Sequence, residues 1–478
     1  MGQSQELHEL TMVELAAAIR SRDLSPVEVT DHYLRRAYER NEQVGAFYTL
    51  ATDQAMDQAR AAEKALAADR DGNVTQGKPL FGVPIPVKDL NLVEGMPVTF
   101  GSVLLKDFIS PVDDYVAAHI RASGAVIMGK TATPEFGLPC YTETEIGPPA
   151  RTPWDLTRSA GGSSGGAAAA VAAGMAPAAQ GSDGGGSIRI PSSVCGLFGI
   201  KPTRGRVSEG PVMPDLAGLS IAGPIARTVQ DAALLLDVLA GNHPGDMYTL
   251  PAPSRPFLDH ASAEVPRLRI ARTLGHAVEG AEVHPDCQQA YEDASALRAS
   301  LGHDVEDIAT PFDTGTVPHF MTLWYAMSTL APVATEQEAQ LRPLTRYLRA
   351  QASSVSAAEL FAAQAALQGA TRAALTALAP YDAILTPTLA RPPAPVGWFE
   401  EVAPAANFER QKAFTPYTAV YNVSGQPAIN VPLYWNADNL PIGVMLAGRM
   451  GEEATLIELA AQLEQARPWK DRHPAIWQ

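Results

Sequence analysis

Short apolar segments bounded by glycine or proline recur along the chain from about residue 81 onward. They occupy positions 83–87, 125–128, 384–385, 428–431 and 442–447. Runs of this length are typical of strands that are buried on both faces. Segments of helical composition lie between them. The alternation predicts an α/β fold in which helices cover both faces of a large, mostly parallel or mixed sheet.

The N-terminal region carries helix start signals. Thr11 and Glu14 form a capping box, and Ser25 precedes Pro26 at the first helical position of a second run. Further helices are predicted at 51–68, at the alanine-rich 166–175, at 228–240 with its N-cap threonine, and at 452–466.

Two proline-rich stretches, 251–256 and 391–404, are the best candidate boundaries inside the chain. A length of 478 residues equals about three average domains, although one large α/β domain also reaches this size. We expect the intervening residues, 257–390, to form a lobe or cover over the core.

The overall charge narrows the choice of partners. A net charge of −16 argues against nucleic acid or an anionic membrane surface, since both require basic patches. No run of 18 apolar residues is present, and the N-terminus lacks the pattern of a signal peptide. Three cysteines without metal-ligand spacing fit a reducing cytoplasm. A small-molecule partner is therefore expected.

Residues 124–131 match the phosphate-loop pattern G-x-x-x-x-G-K-[ST]. The interior of the match is Ala-Val-Ile-Met, which is typical of a strand, and Pro134 falls within the first turn of the helix that the motif requires. We interpret the segment as a buried strand that ends in a turn.

Residues 161–165, Gly-Gly-Ser-Ser-Gly, match the nucleophile elbow G-x-S-x-G. That motif follows a strand and needs a downstream acid and histidine. Residues 151–158 are not typical of a strand, and no local context marks any of the ten histidines as catalytic. A histidine-based triad is therefore disfavoured, although such triads are spatial and sequence does not exclude one.

Ser187 has the surroundings of a nucleophile. It follows Gly184, Gly185 and Gly186, whose backbone N–H groups can approach a substrate closely because they carry no Cβ. Such groups form an oxyanion hole, in which one good donor contributes about 3–4 kcal/mol. A flexible glycine-serine loop is the alternative, but it does not explain the ordered Ile-Arg-Ile-Pro run that follows.

A serine hydroxyl needs a base, and Lys88 in the apolar run Pro-Ile-Pro-Val-Lys is a candidate. Burial disfavours the ammonium form, so a buried lysine can be neutral at moderate pH. The alternative is a lysine at a strand end that reaches water or pairs with Asp89. The residues themselves leave both interpretations open.

Several motifs in a fixed order resemble the amidase signature family. They are the runs at 82–89, at 161–166 and at 181–191, Gly-Ile-Lys-Pro-Thr at 199–203, Gly-Lys-Thr at 129–131 with Pro-Glu-Phe at 134–136, and Gly-Gln-Pro-Ala-Ile at 425–429. The resemblance runs from about residue 10 to the C-terminus and is strongest over 78–240.

The resemblance implies a triad in which Ser187 is the nucleophile and Lys88 the base. Ser163, after a cis peptide bond, would bridge the two. It also implies that Ser164, Asp183 and Arg189 hold the glycine loop. One continuous α/β domain over 1–478 would follow, with N-terminal helices at 1–75 and a signature core at 76–245. No metal or cofactor is expected.

Three functions on this scaffold remain open: a hydrolase of amides or carbamates, an amidotransferase subunit that releases ammonia from glutamine, and a non-catalytic binding protein. The intact triad disfavours the third. Gly184 and Ile190 stand where the amidotransferase is expected to have threonine and glutamine.

An apolar pocket favours the hydrolase. Its candidate lining residues are Phe136, Gly137, Leu138 and Ile190, with Trp324 and Tyr325 further along the chain. This part of the sequence resembles aryl acylamidases, cyclic-oligoamide hydrolases and urethanases. A monomer or homodimer is expected.

Overall fold

The computed structural model describes residues 6–214 and 216–478, and these contain two β-sheets. The strands are β1 (Phe47–Leu50), β2 (Pro84–Lys88), β3 (Val126–Thr131), β4 (Ala178–Ser182), β5 (Phe198–Lys201), β6 (Ala222–Ala226), β7 (Arg269–Arg272), β8 (Asp304–Asp307), β9 (Ala383–Pro387), β10 (Ala428–Trp435) and β11 (Pro441–Gly448). Residues 1–5, which include the N-terminal positions where we expect no signal peptide, lie outside the described residues.

The helices fall before, between and after these strands. They are α1 (Met12–Ser21), α2 (Pro26–Val44), α3 (Thr52–Ala68), α4 (Tyr115–Ala122), α5 (Gly165–Ala172), α6 (Arg189–Cys195), α7 (Val229–Leu239), α8 (Phe257–His260), α9 (Pro285–Ser300), α10 (Thr316–Met327), α11 (Pro343–Ala352), α12 (Ala357–Leu378), α13 (Pro404–Phe414), α14 (Val420–Ser424) and α15 (Glu453–Ala466). In the described part of the chain, every helix is too short or too polar to span a bilayer.

The larger sheet has eight strands in the order β4-β6-β5-β10-β11-β9-β7-β8. Strand β7 is parallel to β8 and β9, whereas the other neighbours are antiparallel. All eight residues of β11 are buried. Since successive side chains point to opposite faces of a sheet, both faces are covered at this strand. The predicted large mixed sheet is confirmed.

The smaller sheet has the order β1-β3-β2. Strand β3 is the segment that matches the phosphate-loop pattern, and all of its residues are buried. Its partner β2 runs parallel to it and ends at Lys88. The interpretation of 124–131 as a buried strand is therefore correct, and this sheet positions the candidate base.

Helix α5 explains the alanine-rich composition after the first glycine-serine stretch. Each of its residues is buried, so only small side chains fit on every face. A Cβ at Gly166 would overlap the backbone of Ala132 and of Ala46. Close packing thus fixes the helix whose N-terminus follows Ser163 and Ser164.

The predicted helix starts are confirmed at several positions. Thr11 and Glu14 form the reciprocal capping box, and Ser25 caps α2 through the N–H groups of the first turn. Thr228 accepts from the N–H of Asp231 at 3.1 Å. The five predicted strands also coincide with β2, β3, β9, β10 and β11, within a few residues at their ends.

Residues 257–390 contribute both to the larger sheet and to a separate group of helices. Strands β7, β8 and β9 form one end of the larger sheet. Helices α10, α11 and α12 instead pack in a second apolar cluster, which contains Leu138 and Trp324. The helical part of this segment therefore lies where it can border a substrate site.

Candidate active site

Lys88, the last residue of β2, is completely buried. Its Nζ lies 2.8 Å from Ser163 Oγ, 3.0 Å from Ser182 Oγ and 3.3 Å from the carbonyl oxygen of Ser182. Burial lowers the pKa of the Lys88 ammonium to about 7, and the negative charges of Asp183 and Glu209 oppose this shift only in part. A neutral amine beside a hydroxyl can accept its proton.

The carboxylate that follows Lys88 in the sequence is directed to other partners. Asp89 Oδ1 lies 3.3 Å from Nζ of Lys130, and its Oδ2 accepts from the backbone N–H of Thr99 at 2.9 Å. Lys88 forms no ion pair with any residue in the described ranges. The alternative in which Lys88 pairs with Asp89 is therefore wrong.

Ser163 lies two residues before α5, and the Gly162–Ser163 peptide bond is cis. The next residue, Ser164, joins this segment to the end of β4, because its Oγ donates to the carbonyl oxygen of Ser182 at 3.1 Å and accepts from the N–H of Ser182 at 3.2 Å. The N–H of Ser164 also donates to the carbonyl oxygen of Ser187 at 3.2 Å. The two glycine-serine stretches thus meet around Lys88.

Ser187 lies in the loop between β4 and α6 and is 7% exposed. Its hydroxyl makes no hydrogen bond to any residue that the structure describes, so it is available for a further contact. The N–H groups of Gly184, Gly185 and Ser187 likewise have no acceptor among the described residues. These groups can donate to an oxyanion.

Gly186 requires a correction to the predicted oxyanion hole. Its N–H donates to Asp183 Oδ1 at 2.7 Å and therefore cannot also stabilise an oxyanion. The residue has φ of 133°, and a Cβ there would lie 2.5 Å from Oγ1 of Thr418. Gly186 is needed for the shape of the loop.

Asp183 and Arg189 form a buried pair that holds the loop. Arg189 donates through Nε and Nη2 to the two carboxylate oxygens of Asp183, each at 2.9 Å. Asp183 Oδ2 also accepts from the N–H of Ile188 at 3.1 Å. Burial by itself would raise the pKa of the Asp183 carboxyl, but the charges and hydrogen bonds of Arg189, Lys201 and Asn422 together hold that pKa below its usual range. The Asp183 carboxylate is thus charged and is paired with Arg189.

Two cavities border these residues. The smaller, about 90 Å³, is lined by Ser187, Gly185 and Ile190 together with side chains of α10, α13 and α14. The larger, about 480 Å³, is lined by Ser163, Ser182 and Gly184 and also by Phe136 and Gly137. Leu138 and Trp324 line both.

Tyr325 does not have the predicted position. It lines neither cavity but packs in the apolar cluster of α10, α11 and α12, where burial raises the pKa of its phenol to about 12. One residue along a helix rotates a side chain by about 100°, so Trp324 and Tyr325 point in different directions. Trp324 therefore faces the cavities, and Tyr325 does not.

Three residues in contact with the site were not singled out from the sequence. Ser182 lies inside the second glycine-serine stretch and contacts Lys88. Asn422 donates to Asp183 Oδ1 at 2.9 Å, and Thr418 donates to the carbonyl oxygen of Gly185 at 2.6 Å. The last two are more than 200 positions away in the sequence and belong to no motif, so only the fold reveals them.

None of the ten histidines, all of which lie in the described residues, lines either cavity. One group in the described residues could hold a metal ion: Glu6, His8 and His32, whose ligand atoms lie within 4.8 Å of one another. His8 and His32 share a hydrogen bond of 3.1 Å. Burial and the nearby Arg36 lower the pKa of both imidazoles, and the same cation opposes a metal ion.

Known proteins share this architecture. The Amidase family model matches residues 28–457. The chain is 36% identical over 438 residues to the 6-aminohexanoate-cyclic-dimer hydrolase of Paenarthrobacter ureafaciens, which covers 86% of this chain and 87% of that protein. It is 33% identical over 484 residues to the acylamidase of Rhodococcus erythropolis, which covers 98% of each.

A solved structure of 6-aminohexanoate cyclic dimer hydrolase superimposes with a TM-score of 0.90 at 31% identity. The match covers 99% of this chain and 100% of that one. These similarities span nearly the whole chain, and the chain belongs to the amidase signature family of hydrolases that act on amide C–N bonds.

Proposed function

We propose that the protein hydrolyses the C–N bond of small amides through an acyl-enzyme on Ser187, with Lys88 as the base and Ser163 as the relay between them. One observation carries the proposal: a completely buried lysine that contacts a serine hydroxyl at 2.8 Å and has no carboxylate partner in the described residues. Burial favours the neutral form of such a lysine, and its contact with the hydroxyl allows it to accept the proton of that hydroxyl.

The first half-reaction transfers the acyl group to Ser187. Its Oγ bonds to the carbonyl carbon, and its proton passes through the Ser163 hydroxyl to Nζ of Lys88. The carbonyl oxygen becomes an oxyanion that accepts from the N–H groups of Gly184, Gly185 and Ser187. The C–N bond then breaks, and the nitrogen receives the proton back from Lys88 through Ser163.

The second half-reaction releases the acid. A water molecule bonds to the ester carbon, and its proton follows the same path to Lys88. When the bond to Ser187 Oγ breaks, that oxygen takes the proton, and the carboxylic acid leaves. Lys88 is neutral at the start and at the end, so one amine serves both half-reactions.

The substrates that we propose are apolar amides, including cyclic amides and anilides, and carbamates that present the same C–N bond. The smaller cavity is lined mainly by apolar side chains, among them Phe320, Val423 and Ile190. This lining suits an apolar acyl group and offers little to the polar chain of glutamine. Glutamine release therefore remains the less favoured alternative.

The test measures turnover of 4-nitroacetanilide, a cyclic amide, an aryl carbamate, 4-nitrophenyl acetate and free glutamine. The Ser187→Ala variant should lose all turnover, and the wild type should show an acyl adduct on Ser187 by peptide mass spectrometry. Ser192→Ala is the matched control, because its buried hydroxyl has no partner among the described residues and lines neither cavity.

An adduct on a residue other than Ser187 would refute the assignment of the nucleophile. Turnover of glutamine alone would favour the amidotransferase subunit, and binding of amides without turnover would favour a non-catalytic protein.

We also propose that the protein acts in the cytoplasm as a monomer or homodimer without nucleic acid. Light scattering of the purified protein would check the oligomeric state, and electrophoretic mobility assays with tRNA would check nucleic-acid binding.

A further inference from the structure

One face of helix α10 extends across both cavities. Phe320 lines the smaller cavity, Met327 lines the larger one, and Trp324 lines both. Their spacing of four and three residues places them on one side of the helix over about 10 Å. The rings of Phe320 and Trp324 stack with centroids 5.4 Å apart.

Trp324 stands between the cavities. Its six-membered ring lies 3.7 Å from the positions that Cβ atoms would take at Gly184 and at Gly185. Gly184 borders the larger cavity and Gly185 the smaller one. The indole therefore packs against the glycine loop between the two cavities.

The direction of proton transfer distinguishes the two cavities. The acyl group stays bonded to Ser187, whose side chain borders the smaller cavity. The leaving nitrogen must receive its proton from Ser163, which borders the larger cavity together with Ser182. An amide placed with its two halves exchanged would have its nitrogen away from the proton donor.

We propose, on the basis of the proposed function, that the smaller cavity holds the acyl half of the substrate and the larger cavity holds the amine half, with Trp324 as the wall between them. The protein then selects compact apolar acyl groups and accepts bulky apolar amines. Exposed apolar side chains at the mouth of the larger cavity, Val212, Met213, Leu216 and Leu330, extend the surface available to the amine.

A pair of isomeric amides tests this orientation. N-(1-naphthylmethyl)acetamide has a small acyl group and a bulky amine, and N-methyl-1-naphthylacetamide has the reverse. Both release an aliphatic amine, so their intrinsic reactivities are similar. Since one methylene group in an apolar pocket changes kcat/KM by about 10–200-fold, we expect the first isomer to be preferred by at least about tenfold.

Two variants on α10 test the two cavities separately, and a third tests the wall between them. Phe320→Ala should raise kcat/KM for the bulky acyl isomer relative to wild type and leave the dependence on amine size unchanged. Met327→Ala should alter the dependence on amine size and leave the acyl preference unchanged. Trp324→Ala should relax both, because it removes the common wall. Circular dichroism and thermal unfolding verify that each variant is folded.

Three results would overturn the orientation: equal or reversed preference between the isomers in the wild type, relaxation of acyl selectivity by Met327→Ala rather than by Phe320→Ala, or turnover of 4-nitroacetanilide with none of either isomer. In each case the amide hydrolysis itself would stand. Loss of 4-nitroacetanilide turnover as well would refute the proposed function and this inference with it.

Discussion

The rate of amide hydrolysis should depend on the protonation of Lys88. The pKa of this amine is lowered to about 7 by burial, and only the neutral form accepts a proton. The neutral, active form increases as the pH rises and is lost as the pH falls, and the lowered pKa places this transition near pH 7 rather than near the ordinary value. About one amine in ten is neutral at pH 6 and about nine in ten at pH 8.

We therefore expect kcat/KM for 4-nitroacetanilide to rise about tenfold between pH 6 and pH 8 and then to level off. The free enzyme determines this parameter, so it is the one to compare with the structure. Glu209→Gln should move the midpoint to lower pH, since the Glu209 carboxylate raises the pKa of Lys88. The amide oxygen can still accept from the N–H of Ala222, as the carboxylate does at 2.7 Å.

A second buried lysine supplies the control. Burial also lowers the pKa of Lys201 to about 7, but this residue donates to the carbonyl oxygen of Pro202 and lines neither cavity. Lys201→Met should keep the pH-dependent rise, whereas Lys88→Met should have no amide turnover at any pH. A midpoint near pH 10 in the wild type, or loss of the rise in Lys201→Met alone, would refute the assignment of Lys88 as the base.

Three further outcomes are expected. Lys88→Ala should lower amide turnover by at least about 10³-fold but lower 4-nitrophenyl acetate turnover less, because nitrophenolate leaves without a proton; equal losses would indicate a structural lysine. Gly166→Ala should reduce the free energy of unfolding by at least about 2 kcal/mol, measured by urea titration, because its Cβ overlaps the Ala132 backbone; unchanged stability would contradict the packing of α5. EDTA should leave amide turnover unchanged, and inactivation that zinc reverses would overturn the mechanism.

Sequence reasoning found the apolar central strands of the larger sheet and missed the charged strands at one end of it. Strands β10 and β11 are apolar and central in the sheet, so their amino-acid composition alone predicts that they are buried. Strands β7 and β8, Arg-Ile-Ala-Arg and Asp-Val-Glu-Asp, lie at one end of the sheet and carry charges on exposed positions. Their parallel pairing depends on partners distant in the chain, which local composition does not report.

In the candidate site, too, local motifs indicated some features, whereas others depend on distant parts of the chain. Lys88, Ser163 and Ser187 lie in sequence motifs, and the fold brings their segments together. Which N–H groups are free to donate depends on hydrogen bonds that no motif reports, and for this reason the prediction for Gly186 required correction. The two-cavity arrangement depends on α10, which is more than 120 positions from the glycine loop.

The low pKa of Lys88 depends on how the neighbouring carboxylates are paired. An anion close to the amine would favour the ammonium form and raise its pKa. Asp89, the adjacent residue, pairs with Lys130, the lysine of the segment that matches the phosphate-loop pattern. Asp183 is bound on both oxygens by Arg189. Asp89 and Asp183 thus each have their own cation, and although Asp183 and Glu209 still raise the pKa of Lys88, burial outweighs them and keeps the amine able to accept a proton near neutral pH.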